Sequence, residues 1–263
     1  MTHQNEARLD LSVVTVHLDD FAGLRRTRES LPALGDVAFE WIVIDGGSSP
    51  ENAEETDELQ RTRTRAQVFV SEPDNGIYDA MNKGTARCRG SYVLYLNAGD
   101  WLHPGLPAGE LSRELRAGRS PMLWGQGYDR DARGELYPRR TRSPKWLRVG
   151  MPVSHQAVLF RRNALGERPY DTRLGYAGDY DLLCRLARLE PGPGIVAWPI
   201  SVFDLQGASS DNMHAASAEE ARVRARYYRM PGVINQSLRW AKMLNWKLSQ
   251  RLPALRRRWR TRV

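Results

Sequence analysis

The chain has 263 residues, is 41% hydrophobic and carries a formal net charge of +8. That length suits one large α/β domain or two small ones with a sizeable core. No run of ~18 apolar residues is present, which excludes a bilayer-spanning helix, and the polar start (Thr2, Gln4, Asn5, Glu6) gives no expectation of a secretory signal. The charge is unevenly spread. Residues 221–263 hold 13 Lys/Arg and no acid, whereas residues 1–220 hold 26 Lys/Arg against 31 acids. A basic tail of this kind seeks phosphates, in nucleic acid or anionic lipid. Cys88 and Cys184 lie in amphipathic segments without metal spacing and read as buried free thiols of a reducing compartment, the cytoplasm.

The first predicted strand is Leu11–Val16, rich in β-branched residues between polar flanks. Phe21, Leu24, Leu31 and Leu34 then recur at roughly helical spacing. Trp41–Ile44 is the second strand and runs into Asp45-Gly46-Gly47-Ser48-Ser49, a tight turn after an acid. A helix around Ala53–Arg65 and a third strand at Val68–Val70 follow. Ile77, Met81, Gly84 and Cys88 share one helical face, with Asp74 or Asn75 in position to cap it. Tyr92–Leu96 is the fourth strand, apolar throughout as a strand buried on both faces must be, and it ends in Asn97-Ala98-Gly99-Asp100. Strand and helix alternate over short links, the pattern of a parallel sheet with right-handed crossovers.

Beyond a helix at Leu106–Leu115 the regularity fades. Met122–Tyr128, Glu135–Arg140 and Ser154–Phe160 read as strands, Arg162–Gly178 as a loop, Asp179–Leu189 as a helix and Ile195–Leu205 as a last bent strand. From about Ser217 the chain reads as helical and basic. Ile234, Leu238, Ala241, Leu244, Leu248, Leu252, Leu255 and Trp259 step by three or four, with Pro253 expected to kink or break the run. The expected division is therefore residues 1–216 as one α/β domain and 217–263 as a basic amphipathic tail. Three readings of the tail stand open: an ordinary helix packed on the domain, a helix lying in a membrane interface, or a nucleic-acid arm.

Three acids stand out. Asp45 and Asp100 follow predicted parallel strands, at whose carboxyl ends open α/β sheets bind ligands. Asp45 is suited to accept hydrogen bonds from a base edge or a ribose. Asp100 offers the hard oxygen that Mg²⁺ or Mn²⁺ requires, the rest of the shell coming from substrate phosphates and water. Asp179 opens a helix after a Gly-rich loop, where a carboxylate can take a proton from an attacking hydroxyl or merely cap the helix.

Together these segments resemble family 2 glycosyltransferases of the GT-A fold, and among them bacterial colanic acid and amylovoran-type exopolysaccharide enzymes. The resemblance is carried by Leu11–Val16, W-I-V-I-D-G-G-S-S at 41–49, S-E-P-D-N-G-I-Y-D-A-M-N-K-G at 71–84, Y-L-N-A-G-D at 95–100, S-H-Q-A at 154–157, A-G-D-Y-D-L-L-C-R-L at 177–186 and F-D-L-Q-G-A-S-S at 203–210. It implies a Rossmann-like, mostly parallel central sheet flanked by helices. It also implies that Thr15, Asp45, Asp74, Gly76, Lys83 and Asn97 hold the sugar donor, that Asp100 binds the metal, that Asp179 is the catalytic base, and that His155 and Gln156 stand on the acceptor side. Asn97 and Gly99 occupy positions where the family often has acids, leaving Asp100 as the ionised ligand of that loop.

The implied reaction is inverting, metal-dependent transfer from a UDP- or GDP-linked sugar to a hydroxyl of a glycan or polyprenyl-linked acceptor in bacterial surface polysaccharide synthesis. Residues 231–263 would then touch the inner face of the plasma membrane, and no nucleic acid is expected as a partner. A basic nucleic-acid-binding α/β protein would explain the tail but not acids that repel phosphates. A nucleotidyltransferase needs a richer diphosphate loop than H-L-D-D-F-A-G-L at 17–24 supplies. A catalytically silent homologue would fit Asn97 and Gly99.

Overall fold

All seven residues of β1 (Leu11–His17) are buried, and six of the seven in β2 (Phe39–Asp45). Such strands can only lie inside a sheet covered on both faces. The two hydroxyl residues within β1 are answered internally: Ser12 Oγ donates to Glu40 Oε1 at 2.6 Å and Thr15 Oγ1 to the Leu96 carbonyl at 2.8 Å. The computed structural model describes residues 9–131, 133–204 and 213–251. Between and after these strands come α1 (Phe21–Ser30), α2 (Ala53–Arg65), β3 (Val68–Ser71), α3 (Ile77–Thr85), β4 (Tyr92–Tyr95), the two-residue β5 (Trp101–Leu102) and α4 (Ala108–Ala117). The second half adds β6 (Met122–Arg130), β7 (Leu136–Arg139), β8 (Val158–Arg161), the single-turn α5 (Arg162–Leu165), α6 (Gly178–Leu186), β9 (Gly194–Asp204), α7 (Met213–Tyr228) and α8 (Gly232–Arg251).

One sheet joins the nine strands in the order β3-β2-β1-β4-β8-β6-β9-β5, with β7 paired to β6. The β3-β2-β1-β4 part is parallel, as the alternation of strand and helix requires. It meets a mixed half through β8, which runs antiparallel to both β4 and β6, while β9 runs parallel to β6 and antiparallel to β5. Trp41, Tyr95, Trp124, Phe160 and Tyr180 are the largest apolar side chains buried in the core that spans both halves. Cys88 and Cys184 are buried and free, as expected.

The second half departs from expectation in detail. Only Val158–Phe160 of the expected Ser154–Phe160 strand is extended, because pairing stops at Leu94–Leu159 on the β4 side and at Trp124–Val158 on the β6 side; His155–Ala157 instead turn as a 3₁₀ helix. The tail helix is two helices, broken at Arg229–Pro231, where Arg229 takes a φ of +46°. The first of them, α7, spans Met213–Tyr228. Arg224 of α7 is buried, bonded to Asn235 Oδ1 of α8 at 2.8 Å and to the Val149 carbonyl at 3.2 Å. Residues 205–212, 252–263 and with them the Pro253 break lie outside the described residues.

Candidate active site

The carboxyl ends of β1 and β4 open into a cleft of 2030 Å³, larger than the roughly 300–1,000 Å³ of an ordinary small-molecule pocket and roomy enough for two substrates. Its floor is Asn97-Ala98-Gly99-Asp100, directly after β4. Gly99 takes a φ of +92°, which a side chain would resist, and turns the chain so that Asp100 is carried inward. The far wall is built by the start of α6. There Gly178 packs so tightly that a Cβ would lie 2.7 Å from the Tyr78 ring. That contact sets Asp179 against α3, with its N–H directed to Tyr78 Oη at 3.5 Å.

Asp74, Gly76, Asn97, Asp100, His155, Gln156 and Asp179 all line this cleft. Thr15, Asp45 and Lys83 are not among the lining residues; their polar atoms meet partners within the fold. Thr15 is fully buried in β1, where its hydroxyl also accepts from Trp41 Nε1 at 2.9 Å. Asp45 is fully buried and spends its oxygens on Ser48 N–H at 3.0 Å, Ser48 Oγ at 2.5 Å and Ser71 Oγ at 2.6 Å, which shapes the turn after β2. Lys83 donates to the Pro73 carbonyl at 2.8 Å and pairs with Glu72 at 3.0 Å, bracing the turn that presents Asp74.

Asp100 is buried, and burial first, then the neighbouring Asp204 and Asp20, push its carboxyl up to about 8. A carboxylate so placed is costly to ionise unless a cation stands beside it. Asn97 Oδ1, in the same loop, is buried without a hydrogen-bond partner. Two hard oxygens, one of them orphaned, fit a divalent cation that phosphates and water would complete. Among the described residues there is no cluster of three or more His, Cys, Asp and Glu side chains able to hold a metal alone. Gln156, expected on the acceptor side, stands close enough to Asp100 to oppose the upward push on its carboxyl. His155 is buried, 2.7 Å from Tyr170 Oη, and burial lowers it to about 4, so its ring is neutral.

Asp179 lies in the first turn of α6; the N-cap position belongs to Ala177. Its Oδ1 accepts from Tyr180 N–H at 2.8 Å. Burial pushes it up to about 6, helped by Glu220 and opposed by Lys242. A carboxylate of that acidity is ionised at neutral pH yet basic enough to take a proton.

Sequence reasoning missed four contributors. Glu219 of α7 accepts from the N–H groups of Gly175 (3.0 Å), Tyr176 (2.8 Å) and Ala177 (3.0 Å), capping the entrance to α6 from another element. Glu220 and Lys242 line the cleft beside Asp179. His17, at the end of β1, lines the cleft with both ring nitrogens buried and unpartnered. The signal for His17 was a titratable residue closing an otherwise apolar strand; the helix residues carried none, since their partners lie some 40 residues away in sequence.

Residues 12–173 match the model of glycosyl transferase family 2. The uncharacterized glycosyltransferase Rv1514c of Mycobacterium tuberculosis is 32% identical over 211 residues, covering 76% of this chain and 77% of that protein. Two solved structures share the fold. S. aureus TarS 1-349 in complex with UDP-GlcNAc matches with a TM-score of 0.63 at 12% identity, over 87% of this chain and 70% of that one. The mannosyltransferase PcManGT of Pyrobaculum calidifontis in complex with GDP-Man and Mn²⁺ matches with a TM-score of 0.55 at 14% identity, over 91% and 65%. The mixed sheet with its flanking helices is thus the GT-A architecture, and the chain belongs to glycosyl transferase family 2 as a glycosyltransferase.

Proposed function

We propose that this glycosyltransferase moves a sugar from a nucleoside diphosphate, UDP- or GDP-linked, to a hydroxyl of a glycan or polyprenyl-linked acceptor, with inversion at the anomeric carbon, in bacterial surface polysaccharide synthesis of the colanic acid and amylovoran type. The observation that carries the reading is the shared cleft: Asp100 at the end of β4 faces the same space as Asp179 on α6. The nucleotide sugars bound by the two fold neighbours support the donor class, and the Mn²⁺ in one of them supports Mg²⁺ or Mn²⁺.

Asp100 and Asn97 are the residues that would hold the cation, which when bound supplies Lewis acidity to the departing diphosphate. Asp74, Gly76 and His17 offer polar groups to the donor along the β1 and α3 edge. Asp179 accepts the proton of the acceptor hydroxyl as that oxygen bonds to the anomeric carbon and the bond to the diphosphate breaks, releasing the nucleoside diphosphate. Gln156 favours the ionised Asp100 carboxyl, and His155 and Tyr170 are neutral.

Arg139, Arg140 and Arg142 line the opposite wall, which supports an acceptor bearing phosphate. On α8, Val233, Trp240, Leu244 and Leu248 are exposed, Trp240 by 66%. No helix of the described residues is long and apolar enough to cross a membrane. An apolar stripe on a basic helix supports peripheral contact of residues 231–263 with an anionic surface. Trp240→Glu should weaken sedimentation with anionic liposomes, and unchanged sedimentation would remove that contact. The reaction itself is tested by a panel of UDP- and GDP-sugars with Mn²⁺, read by thermal shift and nucleoside diphosphate release. One donor should both stabilise the protein and turn over; a panel without either response would overturn the reading.

A further inference from the structure

α7 and α8 follow the part of the chain that matches the family, yet they reach the cleft. Glu219 faces the backbone ahead of α6, and its neighbour Glu220 faces the cleft. Lys242 of α8 is ion-paired to Glu220 Oε1. Glu220 Oε2 is buried without a hydrogen bond, the nearest cation being Arg224 Nη1 at 3.6 Å. Arg224 is itself committed to Asn235 and Val149, and Asn235 Nδ2 donates to the Ala221 carbonyl at 2.7 Å. This lock fixes α8 on α7 and holds Lys242 over the cleft.

The groups that face Asp179 can be taken element by element. Tyr78 of α3 and Tyr170 are both pushed up by burial and stay neutral. Glu219 spends both oxygens on three backbone N–H groups. Glu220 and Lys242 remain as the charged side chains of α7 and α8 that act on it, in opposite senses. We propose that Glu220 and Lys242 are positioning residues that set the charge and placement of Asp179, so that the two C-terminal helices form part of the catalytic apparatus. This rests on the reading of Asp179 as the base. Lys242 favours the ionised carboxylate and holds Glu220 against it as a counterweight. The base thereby stays charged at neutral pH without losing its proton affinity.

The test is a titration of the Asp179 carboxyl by NMR in the full chain labelled with ¹³C-Asp, the resonance being assigned with Asp179→Asn. Lys242→Met keeps the aliphatic stem and should raise the midpoint by about 0.5–1 pH unit. Lys242→Arg should leave it in place. Glu220→Gln should lower it, which separates charge from any loss of packing. Midpoints that stay put in both Lys242→Met and Glu220→Gln, or that move in the same direction, would overturn the proposal. The titration uses neither donor nor acceptor, so it fails independently of the base assignment. An Asp179→Asn variant with full turnover removes the base reading, whereas an inert midpoint beside a dead Asp179→Asn variant removes this proposal alone.

Discussion

The two halves of the cleft are built on different principles. The side formed by β1 and β4 is made by local sequence: apolar strands run into short loops, and Asn97 and Asp100 follow β4 within five residues. The side formed by α6, α7 and α8 is made by long-range contacts. Asp179 is fixed by Tyr78 about a hundred residues earlier and by Glu219 some 40 residues later. A cation site needs little more than oxygens at a strand end, whereas a general base needs a tuned acidity, and tuning takes buried charges from several elements.

That contrast can be broken by substitution, and the largest effect is expected at the base. Asp179→Asn should cut turnover by about 10²–10⁴-fold while donor affinity survives; nucleoside diphosphate release beside calorimetry separates the two. Asp100→Ala acts on the other side and should abolish the Mn²⁺-dependent part of donor binding, read by calorimetry with and without the metal. An unchanged metal dependence would detach Asp100 from the cation.

Smaller effects sharpen the boundary between site and scaffold. Glu219→Ala leaves three N–H groups at the entrance of α6 without their carboxylate and should cost about 1–3 kcal/mol of stability. It should also lower turnover, because the base sits on the helix it caps; urea denaturation and activity check both. Thr15→Val should cost roughly 1 kcal/mol by leaving Trp41 Nε1 unpaired, with donor affinity unchanged. A weakened donor affinity there would return Thr15 to the binding site.

The parallel half was legible because its signals are short-range. Buried strands such as Leu11–His17 read as apolar runs, and the Asp100 loop follows its strand without interruption. Asp45 and Thr15 show where such reading stops. An acid or hydroxyl at a strand end looks alike whether it meets a ligand or its own fold, and the bonds to Ser48, Ser71 and Leu96 appear only in three dimensions. Residues 155–157 turned out to be a 3₁₀ turn because strand pairing, invisible in sequence, ends at Val158. The charges on α7 and α8 left three readings of the tail open in sequence, and none of them placed Arg224 in the interior or Glu220 at the cleft.

The role of Asp179 is tested most directly by the pH dependence of donor turnover. A base raised to about 6 by burial must lose its proton before it can act. Turnover should therefore fall about tenfold per unit below that midpoint and level off above it, and Asp179→Asn should erase the step. A profile that is flat between pH 5 and pH 7 (roughly the span around that midpoint), or a step that persists in the variant, would contradict the assignment.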